Sequence, residues 1–334
     1  MNFKKIINKN VLIILISIIS VALIFGALLF KGQKEYGNSY FYSMDTYVEI
    51  IADSNVKADI KQIFSDTEKI YDIHNAQSEV SKLNLSGGNK PSEKLMSAIE
   101  RIKELCSVYG NSADITVGRL TSLWNVTEEN FTVPNDSDVK EALDSVNYEN
   151  IEIKDNEIIL KNDCQLDFGC VAKGIALDYV KQMLDEKNSG KAVVSAGSSS
   201  ILLYGDDSFT TSILSPESEE IVGKINTTSG FVSTSGGYHR FAEKDGKKYM
   251  HIIDTKTGKP SETDLTSVTV YCQSGLDSDF LSTMILADGS ENLSKYLNQT
   301  DFQIVAIDKN KNIYVSEGLS FELTDESFTY AEKN

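Results

Sequence analysis

The sequence predicts an α+β fold with a mostly antiparallel sheet and flanking helices, on three observations. Helix-period apolar patterns gather in the first half of the chain, and short β-rich segments divided by turn residues fill the second. No internal repeat or low-complexity segment interrupts either half of the 334 residues.

Residues 1–34 read as a targeting element, which leaves 35–330 as the folded domain. Lys4, Lys5 and Lys9 precede Val11–Phe30, about twenty residues without a charge, and Lys31 and Lys34 follow. Such a length spans a bilayer, whereas the apolar core of a cleavable signal is ~7–15 residues. No cysteine follows for lipid attachment, and no small-x-small cleavage site stands out near Gly26–Leu28. The segment therefore reads as an uncleaved N-terminal transmembrane anchor in preference to a cleaved signal. Three lysines before it and two after lean toward a cell-membrane protein with its domain on the extracytoplasmic side.

Tyr40–Ala52 alternates and is rich in Tyr, Val and Ile, which predicts a strand containing Met44-Asp45-Thr46. Val56–Tyr71 has helical spacing, and Ser78–Leu85 continues into a polar loop ending near Gly88. Pro91–Tyr109 is a second helix, with Ser92 as its cap and Glu93 in its first turn. Ser112–Trp124 is a Gly-containing turn entering a short apolar segment, followed by a linker through Pro134 and a helix at about Ser137–Val146. Ile151–Leu166 reads as short strands around an Asp155-Asn156 turn. Strands are then expected at Ala192–Ala196, Ile201–Tyr204, Thr210–Leu214, Glu220–Ile225 and Phe231–Ser233. Phe241–Ile253 reads as a hairpin turning at Asp245-Gly246. Ser267–Cys272 is a strand, Asp277–Leu286 and Ser290–Leu297 are helices, and two last strands surround Asp308–Asn312.

Composition narrows the partners. The chain is 41% hydrophobic and 24% charged, with a formal charge of −17. That balance opposes nucleic acid and anionic phospholipid, and the acidity is dispersed as on a solvated surface. Four cysteines form no CxxC pair, and with three histidines they give no zinc spacing. Buried free thiols are expected, because a chain of this size needs no disulfides.

The stretch Gln165–Val180 (QLDFGCVAKGIALDYV) reads as a buried strand end, a sharp turn at Asp167, Gly169 and Cys170, and a helix from Val171. Glycine tolerates the positive φ such a turn often needs, and the N–H groups opening the helix suit a phosphate. Asp167 and Lys173 would add an acceptor and a cation. The alternative is a plain β–α turn with a solvated lysine. Asp279 and Thr283, four apart on a helix, project from one face and can share a hard cation such as magnesium. Alternatively, Asp277 or Asp279 caps that helix and Thr283 packs. Ser233–Tyr238 (STSGGY) supplies N–H and hydroxyl donors of the kind that hold phosphate oxygens. His251 lies on an expected strand, on the same face as Tyr249, and reads as either structural or catalytic. His74 and His239 read as structural or surface residues. Met44 and Asp114 say nothing from spacing.

Taken in order, MDTYVEI, SEVSKLN, DITVGRLTSLW, LDFGCVAKGIALD, STSGGYHR, YMHIIDTKTGKP and SVTVYCQSGLDSDFLSTMILADG resemble the successive motifs of the ApbE-type FAD:protein FMN transferases. The resemblance runs from about Met44 to Gly289. It implies a T-fold-like core that binds FAD and Mg²⁺ and moves the FMN half of FAD onto a threonine or serine hydroxyl of an acceptor protein, releasing AMP. It implies FAD contacts at Met44, at Ser112, Ala113 and Asp114, at Asp167, Lys173 and Ile252, and near His74, where an aromatic is usual. It places the metal on Asp279, Thr283 and the main-chain carbonyl near Cys170, and makes His251 essential for transfer. This chain departs from the usual pattern at Asp45 (glycine), Cys170 (a small residue), Arg119 (proline) and Gly197-Ser198-Ser199 (Gly-Gly-Asn).

Splitting a pyrophosphate needs charge neutralisation, which Mg²⁺ and Lys173 would supply, and a hydroxyl nucleophile needs a base near neutral pKa, which suits His251. Two other functions use the same residues: an FAD pyrophosphatase giving FMN and AMP, and a surface-anchored flavin carrier without chemistry. The second has no need of a base.

Overall fold

Two strands from the start of the chain and seven from its second half share one nine-stranded sheet. The computed structural model describes residues 37–127, 131–218, 220–237 and 241–331. The expected anchor at 1–34, and Tyr238, His239 and Arg240 of the STSGGYHR motif, lie outside the described residues.

In chain order the first half comprises β1 (Gly37–Ser43), β2 (Thr46–Ala52), α1 (Lys57–Tyr71), α2 (Glu79–Ser86), β3 (Gly88–Asn89), α3 (Glu93–Tyr109) and α4 (Gly118–Trp124). There follow α5 (Asp136–Leu143), β4 (Ile151–Lys154), β5 (Glu157–Leu160), α6 (Ala172–Glu186), β6 (Ala192–Ala196), β7 (Ser200–Tyr204), β8 (Phe209–Leu214) and β9 (Ile221–Thr227). The last part holds β10 (Gly230–Gly236), β11 (Phe241–Lys244), β12 (Lys247–Met250), β13 (Leu265–Cys272), α7 (Gly275–Asp288), α8 (Ser294–Leu297), β14 (Phe302–Asp308), β15 (Asn312–Val315), β16 (Ser320–Leu323) and β17 (Thr329–Tyr330).

The large sheet runs β1-β2-β6-β7-β10-β13-β14-β15-β17, and only its β15–β17 pair is parallel. Side-chain alternation splits its two faces. Val48, Ile50 and Ala52 of β2 meet Ile60 and Phe64 of α1 and Leu177 and Val180 of α6. Further along the same face, Val268, Val270 and Ile304 meet α3 and α7 through Ile99, Ile102, Phe280 and Ile285. On the other face Val193, Leu203, Val232 and Val305 meet Phe209, Val222 and Ile225 from the smaller sheet β16-β9-β8. Complete burial of such a side chain stabilises the fold by about 1.5–3 kcal/mol.

Several expectations change. The segment Tyr40–Ala52 is a hairpin and not one strand, because Met44 and Asp45 take left-handed φ of 51° and 54° and reverse the chain. Ser78–Leu85 does not run into a loop: α2 forms there, capped by the Ser78 hydroxyl on the Ser81 N–H at 3.0 Å and ended by Gly87 at φ 70°. Gln165–Phe168 reaches only an isolated parallel bridge, Val117 to Gln165. β16 and β17 were not anticipated. β3 forms where a loop end is expected at Gly88, and the short apolar segment after Ser112 coils into α4. The remaining strands and helices fall within a few residues of expectation, including the turn at Asp155-Asn156 with φ of 53° and 62°.

Register brings the functional segments to one end of the sheet. Val48 pairs with Ala196, Ala196 with Ser200, and Ser200 with Ser233. Helices α6 and α7 cross over this end without side chains between them. A Cβ on Gly174 would lie 2.0 Å from the Gly275 carbonyl oxygen, and one on Gly275 2.2 Å from that of Gly174. Asp178 of α6 then accepts the Gly275 and Leu276 N–H groups at 2.7 and 2.8 Å, which closes the positive end of α7. Burial pushes the Asp178 carboxyl up to about 6.

Candidate active site

Asp279 is the centre of this end of the molecule. It is 4% exposed, one turn into α7, and it points at the sheet and does not cap its helix. Capping falls to Ser274 and Asp178, and Asp277 pairs with Arg101 at 2.7 Å. One carboxylate oxygen of Asp279, Oδ1, accepts the Ser200 hydroxyl at 2.7 Å and the Ser233 hydroxyl at 2.6 Å. The other, Oδ2, accepts the Gly174 N–H at 2.7 Å. All three partners are neutral donors. Thr283 stands one turn on, donating to the Asp279 carbonyl at 3.2 Å and lying 3.1 Å from the Ser235 hydroxyl.

The Ser/Thr/Gly run on β10 was expected to hold phosphate. Its alternating hydroxyls instead serve α7: Ser233 meets Asp279 and Ser278, Ser235 meets Ser282 and Thr283, and Thr234 turns to Thr269 across the sheet. Ser200 and Ser233 as partners of Asp279 escaped the sequence reading. The one available signal was the period-2 spacing of Ser233 and Ser235, which places both on the α7 face.

The turn before α6 also differs from expectation. Gly169 has no positive φ; its N–H donates to Asp167 Oδ1 at 2.8 Å, so the aspartate builds the turn. The helix start is not an open phosphate cradle. The N–H groups of Ala172, Gly174 and Ile175 go to Phe168, Asp279 and Val171. The Lys173 side chain, half-buried, makes no hydrogen bond or ion pair among the described residues. Cys170 is half-buried in the same neighbourhood. Burial and the charges of Asp167 and Asp279 push its thiol well above its ordinary range, against a smaller pull from Lys173. All four cysteines are free, and Cys106, Cys164 and Cys272 are buried.

Asp167 joins this turn to the 112–118 segment. Its N–H donates to the Ile115 carbonyl at 2.7 Å, and its Oδ2 accepts the Thr121 hydroxyl at 2.7 Å. Asp114 is 2% exposed and faces inward, accepting the Thr116 N–H and hydroxyl and the Tyr148 N–H at 2.7–2.9 Å. Burial pushes its carboxyl up, and these donors pull it partly back. The Asp114 side chain therefore fixes the loop. Ala113 is buried, and Ser112 donates to Asp288 at the end of α7 at 2.8 Å. Met44, at the tip of the first hairpin, donates its N–H to Glu68 Oε1 at 2.7 Å. The Gly197 N–H ties to Tyr47 at 3.0 Å and the Thr234 N–H to Ser199 at 2.7 Å, which links the Met44 hairpin to Ser200 and Ser233. His74 is exposed in the loop after α1.

His251 is not on a strand: β12 stops at Met250, and His251 follows in a bend. Its neighbours locate it. A Cβ on Gly237 would lie 2.7 Å from Met250 Cε, so the end of β10 abuts this bend. Ile252 is buried, and its carbonyl accepts the Ser261 N–H at 2.8 Å. The following Asp254–Gly258 turn is pinned by Trp124, whose indole N–H donates to the Gly258 carbonyl at 2.7 Å.

A sequence model of the ApbE family matches residues 44–307. The chain belongs to the ApbE family. The relatives it resembles include the FAD:protein FMN transferase of Klebsiella pneumoniae (strain 342), 26% identical over 273 residues, covering 79% of this chain and 85% of that protein. A protein of the same name from Buchnera aphidicola is 28% identical over 308 residues, covering 84% and 89%. Among solved structures, the ApbE protein of Thermotoga maritima superposes with a TM-score of 0.79 at 26% identity, over 85% of this chain and 97% of that one. The flavin transferase ApbE of Vibrio cholerae, 23% identical with a TM-score of 0.73 over 84% and 97%, has the same fold.

Two of the departures from the usual ApbE pattern have local accounts. Asp45 replaces a glycine at a left-handed position, which aspartate tolerates better than most residues. Arg119 pairs with Glu141 at 2.8 Å and joins α4 to α5. The implied metal is tested by its donor set. Among the described residues no group of three or more His, Cys, Asp or Glu could hold a metal ion. Asp279, Thr283 and the Cys170 carbonyl offer oxygen alone, the set a magnesium ion accepts. Asp279 is also a buried carboxylate whose partners are all neutral, and a divalent cation would offset that charge. The residues fit the ion.

Proposed function

We propose that this chain is a magnesium-dependent FAD:protein FMN transferase. One observation supports the reading most: a buried Asp279 without a cationic partner, at the sheet end that the Met44 hairpin shares, in a chain whose relatives over most of its length carry that name. The acceptor's threonine or serine oxygen attacks the phosphorus on the FMN side of the FAD pyrophosphate. A new P–O ester bond forms, the bond to the bridging oxygen breaks, and AMP leaves with the electron pair. His251 takes the hydroxyl proton as the nucleophile advances. Lys173, which has no protein partner among the described residues, is free to pair with a phosphate oxygen. Asp279, Thr283 and the Cys170 carbonyl would hold the magnesium ion, which when bound neutralises charge on the pyrophosphate. Met44, His74, Ile252, Asp167 and the Ser112–Asp114 segment line the FAD site in this reading; the inward Asp114 carboxylate acts there by shaping the loop.

Residues 1–34 anchor the domain 35–330 to the outer face of the cell membrane, so the acceptor is a protein at that face. No helix of the described residues is long and apolar enough to cross a membrane; the reading of Val11–Phe30 as the anchor rests on its uncharged length alone. The chain, incubated with FAD, Mg²⁺ and a threonine-bearing acceptor domain, should release AMP only when the acceptor is present. AMP and free FMN without acceptor would mark a pyrophosphatase, and intact bound FAD a carrier.

A further inference from the structure

Asp279 offers a cation one oxygen and not two. A carboxylate has about four lone-pair positions. At Oδ1 two of them are filled, by Ser200 at 2.7 Å and Ser233 at 2.6 Å. At Oδ2 the Gly174 N–H fills one and leaves one. The serines cannot turn away to water, being 1% and 2% exposed. They are cross-strand partners on β7 and β10, so the sheet fixes their separation. Ser278 buttresses the arrangement, its hydroxyl 2.8 Å from that of Ser233 and 3.0 Å from the Gly275 carbonyl.

We propose that Ser200 and Ser233 are positioning residues that make Asp279 a one-oxygen ligand and thereby select magnesium over calcium. The inference rests on the reading that Asp279 holds the metal. Calcium takes six to eight oxygens and gains from a bidentate carboxylate, whereas magnesium demands a compact octahedron with single-oxygen ligands. Blocking Oδ1 removes the bidentate mode at little cost to the other. It also fixes the rotamer of Asp279, as outer partners of metal ligands do.

The test is calorimetric titration of the full-length protein in detergent micelles with MgCl₂ and, separately, CaCl₂. The proteins are wild type, Ser200→Ala, Ser233→Ala, the double variant and Ser233→Thr. Magnesium affinity should fall about tenfold or more in the double variant. Calcium affinity should hold or rise, so that the preference for magnesium drops by at least the same factor. Each single variant should move part of the way, which preserves the test if the double variant misfolds, and Ser233→Thr should keep the wild-type preference. Equal weakening of both ions would overturn selection and leave the serines as ordinary packing, and unchanged affinities would overturn it outright. Failure of the wild type to bind magnesium would instead defeat the metal assignment itself.

Discussion

Single residues hold much of the chemistry. His251 sits in a bend pinned by neighbours on both sides, Met250 against Gly237 and Ile252 to Ser261, so its replacement should leave the backbone in place. His251→Asn should retain FAD binding and lose transfer by a factor of roughly 10²–10⁴, the usual worth of a general base. Stopped assays of AMP release beside FAD titration check this, and an unchanged rate would remove the histidine from the proton path. Glu49 gives a second prediction, about stability. It is 4% exposed on β2, with Tyr40 and Asn38 on one oxygen and no partner on the other. Burial raises its pKa against a smaller opposing effect of the Tyr40 bond. A carboxyl raised by folding binds its proton more tightly in the native state, so its contribution is present below the ordinary carboxylate pKa and lost as pH climbs through the raised value. Glu49→Gln should therefore gain thermal stability relative to wild type at pH 7.5, with little difference at pH 4. A constant difference between the two would show that Glu49 does not titrate on unfolding. Met44 and Asp45 show what spacing hides. A methionine at φ 51° is strained by about 1–3 kcal/mol, and the Glu68 bond to its N–H helps to hold it there. Nothing in an alternating run without glycine announced that turn.

Among the elements, α6 and α7 set the site through a crossing that only glycines permit. Gly174 supplies both the close approach and the N–H that Asp279 Oδ2 accepts. Gly174→Ala should part the helices, costing about 1–3 kcal/mol of stability and several degrees of Tm. Magnesium affinity should fall with it, measured by calorimetry on the folded variant. An unchanged Tm would mean that the crossing yields easily and does not position Asp279. Both helices were legible in the sequence, from the Ile175-Ala176-Tyr179-Val180 spacing and from the apolar run around Phe280. Their crossing was not, because two glycines a hundred residues apart carry no mutual signal. One cap of α7 was similarly hidden: Asp178, which closes its first turn beside Ser274, lies on the partner helix. β10 was legible only to Ser233, since Ser235 and Gly236 are polar or small and pair as strand only because β13 lies beside them.

At the scale of the whole molecule, the class of fold was readable because both faces of the sheet are buried by different elements and each leaves its own periodicity. The order β1-β2-β6-β7-β10-β13 was not, since strands more than a hundred residues apart meet in it. Likewise the candidate residues were legible as types in motifs, yet their convergence depended on register that no single segment encodes. The tertiary result is a sheet end where the Met44 hairpin, the Ser200 turn, β10 and two glycine-crossed helices meet around Asp279. We read that end as the place where FAD is split and FMN is handed to a protein. The most direct test is the intact mass of a threonine-bearing acceptor domain after incubation with the chain, FAD and Mg²⁺, beside the same acceptor with its threonine changed to alanine. A mass gain of one FMN less water is expected on the first acceptor, none on the second, and none on the first with chelator present. An unmodified acceptor with FAD converted to free FMN and AMP would contradict it.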